Sequence, residues 1–158
     1  MEDKSMNIVI TSDHAGFNYK SSLIKILKSM GHNIIDAGTD SNESVDYPDF
    51  AEKASKYITS GEADIGVFIC GSGIGMCIAA NKIKGIRAAT CWSTESAKVA
   101  RSHNCANVLC MGERFLLLNE CIQITKVFIN TPPGTEERHL RRVNKITKIE
   151  ERNFICND

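Results

Sequence analysis

The segment Cys70-Gly71-Ser72-Gly73-Ile74-Gly75 carries the densest chemistry in this sequence. It sets a thiol at the end of an apolar run and follows it with a glycine-rich turn into a helical pattern. That arrangement puts a nucleophile or base beside a row of backbone N–H groups, which suit an anion or a developing oxyanion. The turn is not a dinucleotide-binding fingerprint, because Met76 stands where the third glycine of G-x-G-x-x-G would fall. A nucleotide phosphate loop is excluded too, since no G-K-[ST] follows.

Other polar groups of interest lie outside that loop. Asp13-His14 follows the apolar run Asn7–Ser12 directly, a position where such a pair either caps a turn or lines a crevice. His103-Asn104 closes a helical pattern, where a histidine can serve the helix dipole or a ligand. Arg138 and Arg142, four apart on one helix face, can clamp a phosphate or simply stay solvated, and Arg114 after Gly112-Glu113 is equally ambiguous. Cys70 is the one thiol whose setting favours chemistry. The other cysteines have no such context, and Cys77, Cys110 and Cys121 read as apolar core thiols.

The elements that must position these groups alternate. Short, β-branched-rich runs at 7–12, 33–36, 65–70, 86–91 and 107–111 read as strands buried on both faces. Helical periodicity covers 19–30, about 48–60, 74–82, about 93–103 and about 117–130, with Gly31 and Gly61 as stops and Ser93 as a cap. The expected fold class is α/β, a five-stranded parallel sheet in a flavodoxin-like (Rossmann-like) three-layer sandwich. A strand order of 2-1-3-4-5 would leave a crevice at the carboxyl ends of strands 1 and 3, bordered by Asp13 to Gly16 and Cys70 to Gly75. After Thr131-Pro132-Pro133-Gly134 a further helix, about 137–151, has no evident place on the sheet and is free to dock on another subunit.

Composition narrows the function classes. A length of 158 residues, with 42% hydrophobic and 24% charged residues, reads as one domain over 1–158 with a polar leader at 1–6. Nineteen basic and nineteen acidic side chains cancel, which offers no general attraction for nucleic acid or a membrane surface. The apolar runs are far shorter than a bilayer span, and the start MEDKSMN lacks a signal-peptide core, so a cytoplasmic protein is expected. Seven cysteines are an odd number with no C-x-x-C, and no H-E-x-x-H occurs, so free thiols are expected and no metal.

Six segments in order, DHAGF at 13–17, DYPDFA at 46–51, CGSGIGMCIAANK at 70–82, GIRAA at 85–89, HNCANVLCMGER at 103–114 and RHLRRVNKI at 138–146, closely resemble type B ribose-5-phosphate isomerases. The resemblance implies an aldose–ketose isomerase without metal or cofactor, acting on a small sugar phosphate as a dimer or tetramer with sites between subunits. It implies that Cys70 moves a proton between C2 and C1, assisted by Ser72, while the N–H groups of Gly71, Gly73, Ile74 and Gly75 stabilise the enediolate. Asp13 would handle a hydroxyl proton, His103 would help open the furanose ring, and Asn104 and Tyr47 would orient the sugar. The phosphate would meet His14, Arg114, Arg138 and Arg142, with His103, Asn104 and Arg114 supplied by the neighbouring subunit. Cys105 and Glu136-Glu137 depart from the family's usual residues, the glutamates placing negative charge beside the expected phosphate clamp. Allose or galactose 6-phosphate is the alternative substrate, a non-catalytic sugar-phosphate sensor and a flavin carrier the alternative functions.

Overall fold

Strands form where β-branched and aliphatic runs can be covered on both sides, and a computed structural model, describing residues 5–154, contains five of them. They are Asn7–Ser12 (β1), Asn33–Asp36 (β2), Ile65–Cys70 (β3), Ala88–Thr90 (β4) and Val108–Gly112 (β5), and every neighbouring pair is parallel. Residues 1–4 of the expected leader lie outside the described residues. The helices are Phe17–Ser29 (α1), Tyr47–Thr59 (α2), Ile74–Ala80 (α3), Thr94–Asn104 (α4), Leu118–Asn130 (α5) and Glu137–Asn153 (α6).

The α/β class, the five strands and the extra C-terminal helix are as expected. The strand order is not. It runs β2-β1-β3-β5-β4, so the last two strands are exchanged relative to the expected 2-1-3-4-5. Burial explains the exchange. Every residue of β3 and β5 is buried, whereas Ala88, Ala89 and Thr90 are only half-buried, so the two apolar strands take the interior and the short strand goes to the edge.

Alternating side chains feed two cores, one per face of the sheet. Ile8, Ile10, Val67, Ile69, Leu109 and Met111 pack beneath α1, α4 and α5 through Leu23, Leu27, Ala97, Ala100, Ile124 and Phe128. On the other face Val9, Phe68, Cys70, Val108 and Cys110 meet Ala51 and Ala54 of α2 and Met76 and Ala80 of α3. Among the described residues no helix is long and apolar enough to cross a membrane.

Strand β4 covers half of the expected 86–91, because two side-chain amides take over part of its pairing. Asn81 accepts from the Ala88 N–H and donates to the Ala88 carbonyl, both at 2.9 Å. Asn107 accepts from the Arg87 N–H at 2.7 Å and donates to the Gly85 carbonyl at 2.8 Å.

The opposite end of the sheet is tied by an ion pair. Lys20 of α1 reaches Asp36 at the end of β2, with Nζ 2.7 Å from both carboxylate oxygens, the lysine side chain 3% and the aspartate 46% exposed. This asymmetry sets the outcome of breaking it. Asp36→Ala strands a buried ammonium and should cost about 3–5 kcal/mol. Lys20→Met leaves a carboxylate that water can reach and should cost about 1 kcal/mol or less, as an exposed pair does. Urea midpoints at unchanged slope measure both, and equal losses would contradict this account.

Candidate active site

At the carboxyl end of the sheet, the loops after β3 and β5 touch backbone to backbone. Glu113 N–H donates to the Cys70 carbonyl at 3.0 Å and Arg114 N–H to the Gly71 carbonyl at 2.9 Å. A Cβ on Gly112 would sit 2.4 Å from the Ser72 oxygen, and one on Gly73, where φ is +77°, would sit 2.7 Å from the Met111 carbonyl carbon. Glycine is required at both positions to let the two loops meet.

Within that frame Cys70 is nearly buried, and the Gly73 N–H donates to its Sγ at 3.1 Å. Ser72 Oγ accepts from the Ile74 N–H at 3.2 Å. Two of the loop's donors, Gly73 and Ile74, are therefore engaged by its own side chains, while the N–H groups of Gly71, Ser72 and Gly75 have no backbone partner among the described residues. The expected oxyanion donors are accordingly narrowed, and Ser72, expected for its hydroxyl, joins through its backbone.

Asp13 lies beside this loop, its N–H donating to the Ile69 carbonyl at 3.3 Å. Its Oδ1 accepts from the Gly16 N–H at 3.1 Å, so Asp13 does cap a turn, and its second oxygen remains for other work. His14 accepts at Nδ1 from the Val45 N–H at 3.2 Å, which puts the proton of the neutral ring on Nε2. Tyr47, at the start of α2, lays its ring against Gly75, where a Cβ would fall 2.6 Å from the ring carbon Cζ.

The structure corrects the expected source of Arg114. Its guanidinium carbon lies 3.0 Å from where a Cβ of Gly71 would stand, on the glycine loop of its own chain. The cause is the exchanged strand order, which makes β5 the direct neighbour of β3.

His103, Asn104, Arg138 and Arg142 are elsewhere. Helix α4 leaves the carboxyl edge at Ser93 and runs back over eleven residues, about 16 Å at 1.5 Å per residue, so it ends at the opposite edge of the sheet. There the His103 ring stacks on His139 of α6, centroids 4.0 Å apart and planes within 11°. Arg138 pairs with Glu136 at 2.8 Å between two exposed side chains, and Arg142 follows one turn later. The expected site residues of one chain thus fall into two groups, Asp13, His14, Tyr47, Cys70 to Gly75 and Arg114 at one edge, His103, Asn104, Arg138 and Arg142 at the other. Sequence patterning alone passed over His139, although its four-residue spacing from the buried Val143 marks it as the inward face of α6.

Both groups sit on a chain whose residues 8–146 match the ribose/galactose isomerase family model. The chain belongs to that family. A ribose/galactose isomerase relative, the ribose-5-phosphate isomerase B of Escherichia coli, is 40% identical over 148 residues, covering 92% of this chain and 97% of that protein. The structure of ribose-5-phosphate isomerase B from Clostridium thermocellum superposes with a TM-score of 0.91 at 45% identity, over 94% of this chain and 99% of the other. That of the Mycoplasma genitalium enzyme with bound ribulose 5-phosphate gives 0.86 at 39%, over 92% and 96%.

Among the remaining thiols, burial pushes Cys91 and Cys121 up to about 11 and Cys110 well up. Cys77 goes the other way, lowered to about 6 by hydrogen bonding to Cys110 and, with smaller effect, to Thr90 and Asn81, against the upward pull of its burial. Its Sγ faces the Ala88 carbonyl of β4 at 3.4 Å, away from the β1–β3 crevice. Iodoacetamide labelling mapped by peptide mass should therefore rise at Cys77 through about pH 6 and plateau above it, while Cys91 and Cys121 stay unlabelled at neutral pH. No labelling of Cys77 below pH 8 would contradict that ordering.

Proposed function

We propose that this chain interconverts ribose 5-phosphate and ribulose 5-phosphate through an enediolate, as a cytoplasmic enzyme of pentose phosphate metabolism. It needs neither metal nor cofactor. The observation that carries the reading is the Cys70 thiol held by a backbone donor within a loop that keeps further N–H groups free. An aldose–ketose isomerase needs one base that removes the C2 proton and returns it at C1, and donors for the oxygen that becomes negative in between. Cys70 supplies the base. The Gly71, Ser72 and Gly75 N–H groups supply the donors.

Asp13 moves the hydroxyl proton with its unengaged oxygen. Tyr47, seated on Gly75, walls the sugar site, and His14 offers its Nε2–H to the phosphate together with Arg114. A dianionic phosphate calls for more positive charge than these two provide, and opening the furanose ring calls for a second acid–base group. Both are present in the other half-site, in Arg138, Arg142, His103 and Asn104. Since α4 and α6 hold that half-site at the far edge of the same sheet, a complete site forms when the carboxyl edge of one chain meets the far edge of another. The functional unit is accordingly a homo-oligomer, a dimer or tetramer, whose sites are shared.

Initial rates on ribose 5-phosphate, allose 6-phosphate and galactose 6-phosphate, compared in one preparation, test the substrate, and preference for a six-carbon sugar would overturn the pentose assignment. Cys70→Ala should lower kcat by at least about three orders of magnitude while leaving substrate binding in place, since positioning and the N–H donors remain. Near-wild-type turnover would end the mechanism. Mixing Cys70→Ala with His103→Ala under subunit exchange should restore activity, because a mixed dimer carries one site with both lesions and one with neither. Confirmed mixed dimers without recovered activity would place the catalytic set in one chain.

A further inference from the structure

His139 is a titratable side chain that the mechanism above does not use, and its surroundings are unusual. Its side chain is 6% exposed, yet Nε2 is buried with no hydrogen-bond partner. The Glu136 carboxylate oxygen Oε2 is 3.6 Å away, beyond hydrogen-bond distance, and already bonded to Arg138 Nε at 2.8 Å. A buried polar nitrogen left in this state normally costs stability, so its retention calls for a reason. The imidazole face, not a nitrogen, makes the contact that does exist. It is stacked on His103 with centroids 4.0 Å apart and planes within 11°.

From this we infer that His139 is a positioning residue for ring opening, a neutral flat platform that fixes the plane of His103 and leaves its nitrogen-bearing edge free for the sugar. The inference rests on the isomerase reading above. A stacked ring has its rotation about χ2 restrained by its partner, which matters for a group that must meet both the ring oxygen and the anomeric hydroxyl of a furanose.

The platform must also stay uncharged, because two imidazolium rings at this separation would repel. Its protonation is held down first by burial, then by the positive groups facing it, His103 from α4 and Arg138 and Arg142 from α6, with only Glu136 acting in the opposite sense. His103 is the half-buried member of the pair.

The test separates ring opening from proton transfer. Ribose 5-phosphate is mostly a closed furanose, whereas ribulose 5-phosphate is open-chain, since the hydroxyl needed for its five-membered ring carries the phosphate. Exchange of the C1 proton of ribulose 5-phosphate into heavy water, followed by NMR, needs the base and the N–H donors but no ring opening. His139→Ala should lower kcat from ribose 5-phosphate at least tenfold and leave C1 exchange within about threefold of wild type. His139→Phe, which keeps a flat face without a titrating nitrogen, should recover turnover to within about threefold. Should the alanine variant fold poorly, His139→Leu takes its place, filling volume without a flat face, and should lose turnover equally.

Parallel loss of exchange and isomerisation would overturn the inference, as would unchanged isomerisation in the alanine or leucine variant. So would a phenylalanine variant as slow as alanine with exchange intact, since the imidazole nitrogen and not the face would then matter. A wild-type protein inactive on ribose 5-phosphate would instead reject the isomerase assignment, before any variant is compared.

Discussion

Everything at the carboxyl edge depends on two loops being able to lie against each other without side chains between them. The hydrogen bonds from Glu113 and Arg114 to the carbonyls of Cys70 and Gly71 exist because Gly112 and Gly73 present no Cβ at the contact. That contact fixes where Cys70 points, delivers Arg114 to the same place and turns the chain so that loop N–H groups face outward. It requires β5 beside β3, so the site is a product of strand order as much as of the residues on the loops. A flexible loop could carry the same side chains but not hold their donors ready before the charge appears.

The same sheet separates His103 from the glycine loop of its own chain. In parallel βαβ architecture every helix returns the chain to the opposite edge. A group on the last turn of such a helix is excluded from the site at the strand ends, however close in sequence it is to groups that belong there. His103 is nine residues before Gly112 and eleven before Arg114, yet it ends at the other edge, joined to α6 by the stack with His139. The phosphate-binding and ring-opening groups of the proposed site are thereby divided between the two ends of one sheet.

Much of this was legible in the residues. Short aliphatic and β-branched runs bounded by glycine and polar turns located β1, β2 and β3 to the residue, because such runs are too short for a helix and suit a covered strand. Cys70 and its loop stood out for a related reason, since glycine and a thiol at the end of a buried strand have few purely structural uses. Strand order was harder to read. Periodicity records how an element is buried but not which neighbour buries it, and the small residues Ala88 and Ala89 looked no more like an edge than an interior until their half-burial was seen. The place of Arg114 followed that error. His139 was missed because a histidine close to Arg138, Arg141 and Arg142 reads as part of a charged surface, and only the turn of α6 that buries it with Val143 gives it a partner.

The two asparagines at the end of the sheet have a consequence for life in a crowded solution. An outer strand normally exposes a row of N–H and C=O groups that another chain can match, the starting point of sheet-to-sheet polymerisation. Here the outer strand is three residues long, and both backbone groups of Ala88 are occupied by the amide of Asn81. A stranger's strand would find no free groups at that residue to copy. The side-chain amides thus end the sheet as a hem ends a fabric, and edge-to-edge pairing stops at that strand.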